Sequence, residues 1–126
     1  NRAYEKVVAN KGAGGVDGMQ VSDLKAHLRQ VGTSLLVSVR SGSYQPKPIK
    51  GITIPKSNGK TRQLGVPTVE DRVLQQALFQ VLEPLFEPDF QLHSYGFRPG
   101  RNAHQAVKQA QSYINEGYQY VVDIDL

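Results

Sequence analysis

Lys56, Lys60 and Arg62 crowd three positive charges around the turn Ser57-Asn58-Gly59 in the stretch GITIPKSNGKTRQLGV. Ammonium and guanidinium groups placed this way grip anions, a polyphosphate above all, although lysines are also ordinary residues of solvated turns. A second basic group is SYGFRPGR at 94–101, where Tyr95 and Phe97 interleave with Arg98 and Arg101. Aromatic faces stack on bases, guanidinium groups hold phosphates, and the helix start that follows offers free backbone amides. The two aromatics read equally as core residues beside a loop, the commoner place for Phe97.

Asp123 and Asp125 stand two apart in YVVDIDL at 120–126. On a strand they point the same way, as two magnesium ligands do. A metal site for phosphoryl transfer needs further carboxylates or substrate oxygens, and nothing else acidic converges on this pair. His27, His93 and His104 lack metal-ligand spacing, and no Ser-His-Asp grouping is readable, so core or surface roles are expected for them. The glycine-rich NKGAGGVDG at 10–18 lacks the Gly-Lys-Ser/Thr ending of a P-loop and follows no strand. It reads as a mobile loop, either a flexible lid or an ordinary connection.

The elements that must carry these residues are legible in outline. Residues 3–9 suit a short helix. From Ser22, the spacing of Leu24, Leu28, Val31, Leu35 and Val39 predicts a second, broken or bent at Gly32. Tyr44 to Pro48, with two prolines, should be extended and lead into a hairpin marked by Asn58-Gly59. Loop length decides its chemistry. A two-residue turn puts Ile52 and Ile54 on the face opposite Leu64 and Val66, whereas a three-residue loop, Ser57 to Gly59, pairs Lys56 with Lys60 and unites the apolar sets. The second register places Lys56, Lys60 and Arg62 on one face, above an apolar base.

Pro67 and Thr68 open the strongest helix, with Asp71 at capping-box spacing from Thr68 and an apolar stripe of Val69, Val73, Ala77, Val81 and Leu85. This helix is expected to form the core, to kink at Pro84 and to end at Pro88. Another helix, capped by Asn102 with Gln105, should run to Gly117 and be followed by a strand from Tyr118. No repeat or dividing linker is visible, so one unit is expected: α+β, helices packed around a small, partly antiparallel sheet.

Fifteen Lys and Arg against eleven Asp and Glu give a net charge of +4, which favours a polyanionic partner without naming one. Cysteine is absent, which excludes disulfides, thiolate metal sites and cysteine nucleophiles. No apolar run reaches membrane-spanning length, and the reading is a soluble, cytoplasmic protein without a membrane partner. The first residue is Asn and the chain stops inside a strand pattern, so both ends read as cut from something longer.

Taken in order, NKGAGGVDG, IPKSNGKTRQLGVPTVEDRVLQQAL, HSYGFRPGRNAHQA and YVVDIDL resemble successive blocks of group II intron-encoded reverse transcriptases, or maturases, over nearly the whole chain. The resemblance implies the fingers subdomain of a right-hand polymerase at 1–117, with residues 10–18 as a lid over the template and 50–66 as the fingers hairpin. It implies the first palm strand at 118–126. By motif match Lys56 and Arg62 contact the incoming triphosphate, with Lys60 a second-tier candidate. Lys11, Arg98 and Arg101 contact nucleic acid, and Asp125 is the first catalytic, metal-binding aspartate. Asp123 is assigned no catalytic role. The implied cofactor of the complete enzyme is Mg²⁺, and the implied partners are an RNA template, a DNA primer, deoxynucleoside triphosphates and intron RNA. The chain alone is expected to be inactive as an RNA-directed DNA polymerase. Two competing readings are an RNA-binding splicing cofactor without polymerase activity and a homodimer formed through the exposed edge of the palm strand.

Overall fold

Four helices and one hairpin make up the main regular elements of residues 2–124, the part of the chain that the computed structural model describes. In chain order these are α1 (Arg2–Asn10), α2 (Leu24–Arg40), β1 (Lys50–Pro55), β2 (Thr61–Val66), α3 (Val69–Phe86) and α4 (Ala103–Asn115), with short 3-10 turns at Val21–Asp23 and Glu87–Asp89. The architecture is α+β, and its sheet is a two-stranded antiparallel pair. The chain divides into two compact units, residues 1–82 and 83–126. One unit was expected, but the division falls inside α3 near Pro84, where no linker composition marks it.

In the first unit the core gathers Val7 of α1, Leu24 of α2 and Val69 of α3, with Tyr4, Met19, Val21, Leu28 and Val73 packed around them. Leu24 and Val69 are completely buried, which for each contributes roughly 1.5–3 kcal/mol relative to exposure. Only the opening turns of α3 take part. Leu78, Val81 and Leu85 further along its stripe are exposed, which corrects the expectation that the whole helix is core. Periodicity identifies an apolar face, and burial additionally needs a second surface to cover it.

Gly32 does not break α2: the helix runs unbroken from Leu24 to Arg40. A glycine inside a helix costs about 1 kcal/mol relative to alanine, too little to stop a helix of this length. The glycine-rich loop packs closely against its neighbours. Gly14 and Gly15 are buried, and a Cβ on Gly15 would lie 2.7 Å from the Thr68 Cα. These glycines admit close backbone packing instead of supplying mobility.

What holds this unit together is a set of buried acids at the start of α3. The Thr68 hydroxyl accepts from the Asp71 amide at 3.2 Å and donates to the Asp71 carboxylate at 2.5 Å. That carboxylate also accepts from the Tyr44 hydroxyl at 2.7 Å and from the Lys47 amide at 3.3 Å. Beside it, Glu70 meets His27 Nε2 of α2 at 2.5 Å. Glu70 and Asp71 are 8% and 4% exposed, so each needs these donors to offset the loss of water.

In the second unit, α4 starts with a reciprocal capping box: the Gln105 amide donates to Asn102 Oδ1 at 3.0 Å, and the Asn102 amide to Gln105 Oε1 at 2.9 Å. It closes through Gly117, at φ +98°. Residues 118–124 form no ladder, so the strand expected there is not seen over the described residues. An extended segment becomes a strand only by pairing, and the paired strands among the described residues are β1 and β2.

Burial, followed by the hydrogen bond and charge of Asp71, pushes the Tyr44 hydroxyl well above its ordinary value. The unfolded tyrosine ionises near pH ~10, so the stability this group contributes is intact below ~10 and falls as pH rises beyond it. Tyr44→Phe should cost about 1 kcal/mol at neutral pH and flatten that alkaline decline. Urea unfolding at about pH 7 and about pH 11 measures both; an equally steep decline in the variant would exclude Tyr44 as its source.

Candidate nucleotide and nucleic-acid interface

β1 and β2 pair Ile52 with Leu64 and Ile54 with Arg62, and the Lys56 amide donates to the Lys60 carbonyl at 2.6 Å. The loop is therefore Ser57 to Gly59, with Gly59 at φ +77°, as the sequence argument requires. Asn58 supplies the turn chemistry: its side-chain oxygen accepts from the Lys60 amide at 3.2 Å. On the opposite face Gln63 donates to Thr53 at 3.0 Å, which fixes the same register independently.

Directly opposed residues share a face, so Lys56, Lys60 and Arg62 project together above Ile52, Ile54, Leu64 and Val66. All three cations are exposed, and among the described residues none has an ion-pair partner. A cluster of unneutralised cations on a rigid two-stranded stem attracts an anion with several negative oxygens, and Arg62 can take two of them at once.

In the glycine-rich loop Lys11 is exposed at φ +54°, and its carbonyl accepts from Arg72 Nη1 at 3.2 Å. Asp17, at the far end of the loop, pairs with Lys47 at 3.2 Å. Burial opposes ionisation of Asp17, yet the hydrogen bond and charge of Lys47, with the Met19 amide, hold its carboxyl below the ordinary carboxylate value.

The 94–101 segment separates its two arginines. Arg98 donates to both Glu87 carboxylate oxygens, at 2.8–3.3 Å, and to the carbonyls of Gln91 at 2.8 Å and Ser94 at 3.0 Å. Its side chain is only 8% exposed and lies 5.1 Å over the Phe90 ring. A guanidinium committed in this way has no donors left for a phosphate, so Arg98 ties the loop together and the expectation of a nucleic-acid contact is revised. Arg101 lies 5.5 Å over the Tyr95 ring, partly exposed. Phe97, read as a core aromatic by the commoner alternative, is fully exposed at φ +56°.

Asp125 lies outside the described residues, and Asp123 is exposed. Among the described residues no three His, Cys, Asp or Glu converge on a metal position. The described residues therefore do not build a metal centre on their own. Nor is any described helix long and apolar enough to cross a membrane.

Residues 54–126 match the family described as "Reverse transcriptase (RNA-dependent DNA polymerase)". The chain belongs to the reverse transcriptase family. Its relatives include Protein YkfC of Escherichia coli, 45% identical over 80% of this chain and 27% of that protein. Group II intron-encoded protein LtrA of Lactococcus lactis is 36% identical over 84% of this chain and 18% of its own length. Nuclear intron maturase 1 of Arabidopsis thaliana is 42% identical over 44% of this chain and 8% of its length. These names support the group II intron branch of the family. The chain spans about a quarter or less of the length of these relatives.

Sequence reasoning singled out neither Glu87 nor Arg72, the residues that hold the two loops of this reverse transcriptase segment. An arginine on the flank of an apolar helix stripe, as Arg72 is beside Val69 and Val73, is the available signal. Arg98→Ala should lower the stability of the protein by about 3 kcal/mol, because Glu87 loses its partner. Urea unfolding followed by circular dichroism tests this, and a stability within ~0.5 kcal/mol of the parent would show that the pair carries little.

Proposed function

We propose that this chain holds the incoming nucleotide and the template in an RNA-directed DNA polymerase of the group II intron type. The observation that carries the reading is the hairpin register, which sets Lys56, Lys60 and Arg62 on one exposed face with no carboxylate partner among the described residues. Lys56 and Arg62 bind the triphosphate of a deoxynucleoside triphosphate, and Lys60 adds to the local positive potential. Lys11, on the glycine-rich loop, and Arg101 contact the RNA template and DNA primer. Phe97, exposed and close to Arg101 in sequence, offers a face for stacking on a base.

Asp125 is proposed as one carboxylate toward Mg²⁺. The described residues offer no complete ligand set, so catalysis requires carboxylates from outside them, and no nucleotide incorporation is expected from the 126-residue chain alone. When bound, the metal supplies charge neutralisation and activation of the attacking hydroxyl. The fingers cations act on the other side of the reaction, holding the β- and γ-phosphates in place and offsetting the charge that builds on the departing pyrophosphate.

A second reading is a splicing cofactor that binds intron RNA without polymerisation; the relative named as an intron maturase favours it. The two separate in one experiment on the full-length protein containing this chain. Lys56→Ala/Arg62→Ala should raise the KM for deoxynucleoside triphosphate by about tenfold or more, one charge-assisted contact being worth roughly that factor. It should leave the salt dependence of template–primer binding unchanged. Lys11→Ala/Arg101→Ala should lower that salt slope by about 0.9 for each phosphate that the variant no longer neutralises. Weaker template–primer binding by the hairpin variant, with KM unmoved, would transfer the hairpin to RNA binding and favour the splicing cofactor.

A further inference from the structure

Arg72 projects from the first turn of α3 across to the glycine-rich loop. Its Nη1 donates to the Lys11 carbonyl at 3.2 Å and its Nη2 to the Ala13 carbonyl at 2.9 Å. Two carbonyls, two residues apart, are thus held by the two ends of one planar fork, a geometry a lysine ammonium does not reproduce. Gly12, between them, adopts φ +101°, and a Cβ there would stand 3.0 Å from Nη1. The glycine therefore lets the backbone close around the guanidinium. Arg72 Nε is buried without a hydrogen-bond partner among the described residues, so the two loop carbonyls are the contacts that orient the group.

The rest of the loop is fixed independently. Gly15 packs on the Thr68 backbone, and Asp17 is held by Lys47. The Lys11 amide donates to the Val8 carbonyl at 3.2 Å at the end of α1, and beyond that bond Arg72 sets the path of residues 11–13 through the Lys11 and Ala13 carbonyls. Lys11 and Arg72 line the same open cleft of about 260 Å³ with Asn10, Gln75 and Gln76, and none of its lining residues is acidic. Two like charges beside one cleft repel, and the carbonyl dipoles that Arg72 binds offset that repulsion.

We propose that Arg72 is a positioning residue: by clamping the carbonyls of Lys11 and Ala13 it sets the conformation of the glycine-rich loop and presents the Lys11 ammonium to the template. The second half rests on the reading of this loop as a template contact; the first half does not.

The test uses the full-length protein containing this chain, with Arg72→Lys, Arg72→Gln and Gly12→Ala. Hydrogen exchange is followed at the Lys11 and Gly18 amides, which donate to the Val8 and Gly15 carbonyls at 3.2 and 3.3 Å, with the amides of α2 and α3 as internal references. In all three variants the loop amides should exchange at least ~10-fold faster while the references hold, the change expected from removing one hydrogen bond to a charged group. Arg72→Lys should fail to restore the loop, and the dissociation constant for template–primer should rise with kcat unchanged. Gly12→Ala reaches the same contact from the other side and keeps the test valid if Arg72→Gln does not fold. Unchanged loop exchange overturns the proposal, as does a rise shared equally by α2 and α3, which would mean general destabilisation. Faster loop exchange with unchanged template affinity supports the clamp and overturns the template role of the loop.

Discussion

The buried carboxylates at the start of α3 are the constraint on which the first unit depends. Asp71 collects the Thr68 hydroxyl, the Tyr44 hydroxyl and the Lys47 amide, while Glu70 reaches His27. Those partners come from α2, from the segment that enters the hairpin and from the residue that leaves it. A carboxylate out of water has to be met by donors. Here the need for donors draws three chain segments to one place. The short apolar core of Val7, Leu24 and Val69 then closes beside that polar knot.

The hairpin cations proposed to bind the triphosphate stand outside this knot, on a stem rooted in it. Both roots of the hairpin, Tyr44 to Lys47 on one side and Thr68 on the other, are anchored at Asp71, so the basic tip is carried on a stem whose base does not splay. The glycine-rich loop is anchored on the same helix through Arg72 and Gly15. Anchored support beneath and, among the described residues, unpaired cations above suit the proposed grip on a phosphate chain, because ordering costs are met before the ligand arrives.

Local rules made the hairpin and the helix caps legible. Strand alternation leaves one register in which Ile52, Ile54, Leu64 and Val66 agree, and that register also places Lys56, Lys60 and Arg62. Asn102 and Gln105 form a cap from four residues of sequence. What escaped depended on partners distant in sequence. Arg98 carries the same charge as Arg101, but Glu87 is eleven residues away and the folded chain joins them. Arg72 and the glycine-rich loop are about sixty residues apart. The stripe of α3 predicts burial to its end, yet Leu78, Val81 and Leu85 stay mostly exposed. Glycine's role is set by its surroundings: position 32 sits inside an unbroken helix, and positions 14 and 15 are buried.

Phe97 is placed where folding alone gains nothing from it. A non-glycine residue at φ +56° costs roughly 1 kcal/mol, and a fully exposed ring recovers none of that by burial. Glycine at this position would relieve the backbone and expose less apolar surface. Seen as a problem in optimisation, the loop is below its own best stability at the one side chain it presents most completely to the outside. Any effort to stabilise this segment by substituting its least favourable residue would therefore remove its most accessible aromatic surface, so thermal robustness and surface recognition compete at a single codon.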